Sequence, residues 1–392
     1  MTRLSLLVLV PLALFGCSSG TNDGGLCLGS QCVAVATSVY NADFTGMGTL
    51  NTVDLKTRAV TTGVDATLDP DTAMRIVGDE LFVLQRTTGA VRIYDPKTFA
   101  VKVELPVGDD AHPSAAAYPQ DFYVDDAGKI FVTLSGNDAE HSLVVLDRSA
   151  PGTLVYIGLP QDAADTDGKP EPNRIHACGG KLYVTLQSYS FDSSFKISYA
   201  KGRIAIVDPD ARSVRGIIAL AGENPYDIVP VTSDCHDVVV ASSAGLTTVP
   251  DGNGNLEHID LAAGTSKGVL ATDQTLGGRP TLLARASDDL LYVAIYFDPQ
   301  PNGMGVDYLS SVKVIAFDPK TKTILGDVSG KLGNVNFLRV HDGKLFFGAG
   351  IYAGMEAAGK GARGLYLGPA DGKMLTTPPI DLSLTPSAIA LP

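Results

Sequence analysis

The sequence predicts a single all-β domain: a seven-bladed β-propeller over residues 33–392, closed by pairing its N- and C-terminal strands. Three observations carry this. A Leu-Tyr-Val-Thr-like strand segment recurs seven times along the 392 residues. Turn and strand signals of the same kind flank each copy. The chain begins on the second strand of a unit and ends on a lone first strand, so the two ends together complete one blade.

The repeated segments are Val33–Ala36, Leu81–Leu84, Ile130–Thr133, Leu182–Thr185, Val238–Ala241, Leu291–Ala294 and Leu345–Gly348. Each is an apolar run of the length expected for a strand buried on both faces. A second strand follows after a variable loop and usually ends at an aspartate, as at Asp54, Asp95, Asp147, Asp208, Asp260 and Asp318. The seventh copy, Leu365–Pro369, lacks the aspartate until Asp371. Asp-Pro-Lys-Thr occurs twice at this place, and an aspartate there accepts hydrogen bonds from the backbone that turns after it. Ahead of each repeated segment lies Pro-x-x followed by an aliphatic or aromatic residue: Pro119, Pro172, Pro225, Pro280 and Pro386 open these copies. Ala73–Ile76 and Asn334–Phe337 are versions without proline. Each unit thus holds four strands in about 45–60 residues, the size of a propeller blade. Pairing Thr385–Leu391 with the first strand closes the ring and removes the open edges that invite aggregation.

These segments resemble the YVTN-repeat family of bacterial propellers. The resemblance implies the fold and leaves activity open, since propellers host many functions.

The N-terminus predicts export. Arg3 precedes an apolar run, Leu4–Phe15, too short to span a bilayer and of the length of a signal-peptide core. It ends in Leu14-Phe15-Gly16-Cys17, which resembles a bacterial lipobox, with Phe15 where a small residue is usual. The expectation is a signal peptide over 1–16, lipid on Cys17, a tether over 17–32, and anchorage in the cell envelope, at the outer membrane. Of the remaining cysteines, Cys27 and Cys32 are close enough for a local disulfide, which leaves Cys178 with Cys235; zinc is the competing reading.

The formal net charge of −13 argues against a nucleic-acid partner. It also disfavours anionic partners in general. The expected partner is another envelope protein, a peptide or a glycan, with membrane contact through the lipid alone. Long aromatic loops between second and third strands, carrying Tyr189, Phe195 and Tyr296, are one candidate binding surface. The third position of the Pro-x-x motif is another. It reads Arg75, Asp121, Arg174, Asp227, Leu282, Asn336 and Ala388 in blade order. Alternating charge at equivalent places predicts ion pairs between blades, with Arg174 bridging Asp121 and Asp227. The sharper reading is a polar funnel for a small ligand, completed by Gln120, Asn173, Asn224, Tyr226 and Arg279. An enzyme of lactonase or lyase type is the alternative, built on Asp121, Arg174, His176 and Asp227.

Catalytic motifs are weak. Gly264–Gly268 matches a Gly-x-Ser-x-Gly string, but in a strand turn with no helix after it. Gly354–Lys360 has Walker-like spacing without the following Ser or Thr. No catalytic set, resident metal or cofactor is assigned. Two segments bear on a structural calcium ion: Asp165-Thr166-Asp167-Gly168 and Asp251–Asn255 resemble parts of acidic oxygen-ligand loops, although turn chemistry explains both without an ion. The six histidines form no ligand set; His112 and His176 are the one pair that could sit near the channel, and the expectation is solvated or hydrogen-bonded rings.

Overall fold

A computed structural model describes residues 31–40, 46–165, 167–191, 197–245, 250–297, 311–350 and 362–392. Seven antiparallel sheets stand in a ring, each running outward from an innermost strand. Blade 1 holds Cys32–Tyr40, Gly46–Asp54 and Val60–Leu68, with Thr385–Ala390 as its innermost strand. The closure is direct, pairing Ala34 with Ala390 and Val35 with Ile389. The innermost strands of blades 2 to 7 are Thr72–Val77, Pro119–Val124, Pro172–Cys178, Pro225–Pro230, Arg279–Ser287 and Asn334–His341. Among the described residues, no helix is long and apolar enough to cross a membrane.

The core is not one centre. It is seven apolar layers, each shared by two neighbouring blades. Phe82 and Val91 of blade 2 pack with Phe122 and Val132 of blade 3. Val33 and Val35 of blade 1 pack with Phe346 and Leu365 of blade 7 across the closure. The Leu-Tyr-Val-Thr strands sit between two such layers, which is why they are apolar on both faces. Each fully buried Leu or Phe stabilises its interface by about 1.5–3 kcal/mol.

The expected turn chemistry is present. Asp95 Oδ1 accepts the N–H groups of Lys97 and Thr98 at 2.8 and 3.0 Å, and Asp318 Oδ1 accepts those of Lys320 and Thr321 at 2.8 and 3.2 Å. Blade 7 departs from the four-strand plan, with three strands ending at Gly364–Pro369. The chain then returns past Leu365, bonding it through Ile380. Pro378 and Pro379 precede that contact and withhold the donors an outer strand needs.

Disulfide Cys178–Cys235 joins the end of one innermost strand to the next blade, with Cα atoms 5.5 Å apart. Cys32 is also disulfide-bonded. Cys17 and Cys27 lie outside the described residues.

Candidate functional site

The Pro-x-x motif makes a local break in strand register. The pairing of innermost with second strand shifts between Pro119 and Phe122, Pro172 and Ile175, Pro225 and Asp227, and Pro280 and Leu283. Comparable shifts occur in blades 1 and 7, and blade 2 runs in regular register. A bulge of this kind re-aims a side chain and frees backbone groups. The threonine of the Leu-Tyr-Val-Thr segment takes them up: Thr133 Oγ1 accepts the Asp121 N–H, and Thr185 Oγ1 accepts the Arg174 N–H, each at 2.9 Å. The two sequence signatures are therefore halves of one device.

That device gathers charge on the ring axis. Arg75 Nη2 donates to both oxygens of Asp121, at 2.7 and 3.0 Å. Arg174 Nε lies 3.5 Å from Asp227 Oδ1. The expected bridge by Arg174 is thus divided between two arginines. Asp121 is fixed by Arg75 and by the Ile175 N–H, which its Oδ2 accepts at 3.1 Å. Burial opposes the charge of Asp121, but Arg75 and then Arg174 outweigh it and hold the carboxyl below its ordinary range. Burial likewise opposes the charge of Arg174, and Asp227 and Asp121 outweigh it.

Arg339, from blade 7, completes this collar with a third guanidinium. Its Nη1 donates to the Leu338 carbonyl at 2.8 Å, and no carboxylate lies within ion-pair distance among the described residues. Burial in the channel lowers its pKa, Asp227 counters this, and Arg174 and Arg75 lower it further. Two cavities flank the collar. The mouth, about 790 Å³, is lined also by Arg86, Tyr226, Tyr296, Asn336 and Arg363. The opposite cavity, about 380 Å³, includes His176, Asp227 and Arg285. Arg86 is held by Asp71 at 2.9 Å, whereas Arg363 makes no ion pair among the described residues.

Other expected residues serve the scaffold. Arg279 is 1 % exposed and paired with Asp273 at 2.5 Å and Asp251 at 3.0 Å, away from the channel. Asn224, at a φ of 53°, is consumed by Ser243 Oγ, Ala244 O and Gln187. Asn173 Nδ2 donates to Tyr226 O at 2.9 Å, and Asn336 Nδ2 to Pro386 O at 2.7 Å; both tie blade to blade. Tyr189 packs against Phe191 and Tyr199 in the hairpin of Tyr189–Phe191 with Ile197–Tyr199. Tyr296 bonds Asn334 at the cavity wall. Phe195 and the Walker-like Gly354–Lys360 lie outside the described residues.

His112 and His176 are not paired with each other. His112, in the connection before blade 3, stacks on His141 with ring centres 3.8 Å apart. His176 Nε2 donates to the Cys235 carbonyl at 2.9 Å. Ser266 of the Gly-x-Ser-x-Gly string donates to Glu257 at 2.6 Å, inside a strand, as a structural hydroxyl.

Arg339 was not among the sequence candidates, because the bulge between Val335 and Phe337 changes which residues face the axis. A signal existed: Arg285 follows Pro280 by the same spacing with which Arg339 follows Asn334.

The chain is a seven-bladed propeller with a basic collar in its channel. Its fold is similar to a chain of Kuenenia stuttgartiensis hydrazine synthase, at 16 % identity and TM-score 0.56, covering 86 % of this chain and 95 % of that one. It is likewise similar to the β-propeller domain of Myceliophteria thermophila Cps50 (Swd1), at 13 % identity and TM-score 0.55, covering 80 % and 92 %. At these identities the likeness concerns fold alone. No family model and no curated protein matches the sequence.

Proposed function

We propose that this protein is a lipid-anchored envelope propeller, of YVTN-repeat type, that binds a carboxylate at its channel mouth. The carboxylate belongs to a peptide end or an acidic sugar; peptide and glycan are the classes expected from the sequence, and the anionic group is what this site adds. One observation carries the reading: Arg339 presents its guanidinium to the cavity with no carboxylate partner among the described residues. Three arginines face two aspartates around the collar, so an incoming anion relieves the repulsion among them. The acidic overall charge is locally reversed here, and a guanidinium fork recognises a planar carboxylate by paired N–H bonds. A cavity of about 790 Å³ falls in the size range of small-ligand sites.

Binding is favoured over acid–base catalysis because Asp121 is ionised and consumed by Arg75 and Ile175. Isothermal titration of the purified protein with sodium D-glucuronate and with acetyl-trialanine tests the site. Saturable binding of either, lost in Arg339→Gln, supports it. No heat from either compound, or equal binding by the variant, refutes it. The lipid anchor is tested separately by mass spectrometry of the mature N-terminus: acylated Cys17 supports it, and an unmodified, uncleaved N-terminus refutes it.

A further inference from the structure

A second cluster of charge lies in the connection between blades 3 and 4, and no part of the carboxylate site uses it. Asp165 and Glu171 are 5 % and 0 % exposed, and Asp167 is exposed beside them. One carboxylate oxygen from each of the three lies within 4.8 Å of the others. Asp165 Oδ2 and Glu171 Oε1 are buried and take part in no hydrogen bond.

Buried carboxylates of this kind normally have partners. Those facing this trio do not suffice. Glu171 Oε2 accepts the Tyr189 N–H at 3.2 Å from the blade 4 hairpin. Asp167 Oδ1 accepts the Lys169 N–H at 2.9 Å, and the Asp167 N–H points to Asp165 Oδ1 at 3.5 Å. Arg203, from the third strand of blade 4, is the cation near the trio among the described residues. Its Nε lies 3.3 Å from Asp162, and its Nη2 donates to Pro160 O and Ser188 Oγ. It makes no ion pair with Asp165, Asp167 or Glu171. Burial, then Asp165 and Asp167, push the Glu171 carboxyl up to about 9.

The other acidic loop shows what satisfaction looks like. There Asp251 and Asp273 close on the guanidinium of Arg279, and Asp273 also accepts the N–H groups of Gly252 and Gly254. The protein supplies that loop with a cation of its own.

We propose that Asp165, Asp167 and Glu171 bind a calcium ion. The donor set is all oxygen, without histidine or thiolate, which selects a hard cation. Two of the carboxylates are shielded from water. Magnesium retains most of its hydration shell and demands a strict octahedron, whereas calcium accepts carboxylates and carbonyls in looser arrangements. Glu171 adopts a φ of 40°, costly for a side chain with a Cβ, and directly precedes the strand carrying Asn173 and Arg174. A bound ion would pin that strand start to the Tyr189 hairpin.

The test uses the mature protein, stripped with chelator and titrated calorimetrically with CaCl2, with MgCl2 and ZnCl2 in parallel. The expected result is one calcium per chain and a melting temperature that rises with calcium. Glu171→Gln should lose about 100-fold in affinity and the exposed Asp167→Asn about tenfold, as ligand charge is removed. Should Glu171→Gln fail to fold, Asp167→Asn decides. No calcium response up to about 10 mM, beyond weak extracellular sites, overturns the proposal. A more stable Glu171→Gln that keeps its calcium response overturns it too, leaving carboxyl groups that share a proton. Preference for magnesium or zinc overturns the choice of ion.

Discussion

The carboxylate of Asp227 in blade 5 accepts the backbone N–H of Leu283 in blade 6 at 2.9 Å. Asp121 in blade 3 repeats the relationship with Ile175 in blade 4. In both cases the bulge frees an N–H in the following blade, and the motif aspartate of the preceding blade satisfies it. The same two carboxylates face the channel arginines. Blade-to-blade cohesion and channel electrostatics therefore rest on shared atoms.

Asp227→Ala should reveal both roles. It removes the acceptor for Leu283 and leaves Arg174 without its 3.5 Å partner. Loss of one member of a largely buried pair costs about 3–5 kcal/mol, read by urea unfolding. Asp227→Asn retains an acceptor oxygen and should cost about half as much.

Arg339→Gln should separate stability from binding. Removing the third guanidinium relieves repulsion from Arg174 and Arg75, so the variant should melt no lower than the parent. Its affinity for D-glucuronate should fall by about tenfold or more, since a charge-assisted hydrogen bond contributes about 1.5–3 kcal/mol. A variant that is markedly destabilised would mean that Arg339 is structural.

Reduction of Cys178–Cys235 should loosen the blade 4–blade 5 interface. The bridge spans a sequence separation of 57 residues. Chain-entropy reasoning for a loop of that size gives about 4 kcal/mol, to be measured for the Cys178→Ser/Cys235→Ser double variant.

Stability should fall on mild acidification in a way that depends on His176. Burial depresses the pKa of its ring in the folded chain, with Arg75 and His236 acting in the same direction and the Cys235 carbonyl against. The unfolded chain therefore binds a proton more readily. The contribution is complete above the unfolded value, about 6.5, and is lost as pH falls from there through the lower folded value. Differential scanning calorimetry between pH 7 and 5 should show a decline that is shallower in His176→Gln.

Much of the architecture was legible because a propeller repeats itself. The Leu-Tyr-Val-Thr strands, the Asp turns and the lone last strand report local rules, and local rules survive in sequence. The motif positions Arg75, Asp121, Arg174 and Asp227 were legible for the same reason, as equivalent places in successive blades. Arg279 and Asn224 misled, because a charged or amide side chain beside the motif reads alike whether it faces the channel or its own blade. Asp273 decides the first, and Ser243 and Ala244 the second, and none of these neighbours is implied by the repeat.

By itself, then, the sequence determined the blade count, the closure and the charged character of the ring's inner edge, since each follows from periodic pattern. Only the tertiary structure decided which arginine takes which aspartate, that Arg339 joins them, and that Glu171 lies buried against Asp165. These depend on where the bulges rotate side chains and on which loops meet across blades. Such contacts arise between residues far apart in the chain, where no local spacing rule constrains them.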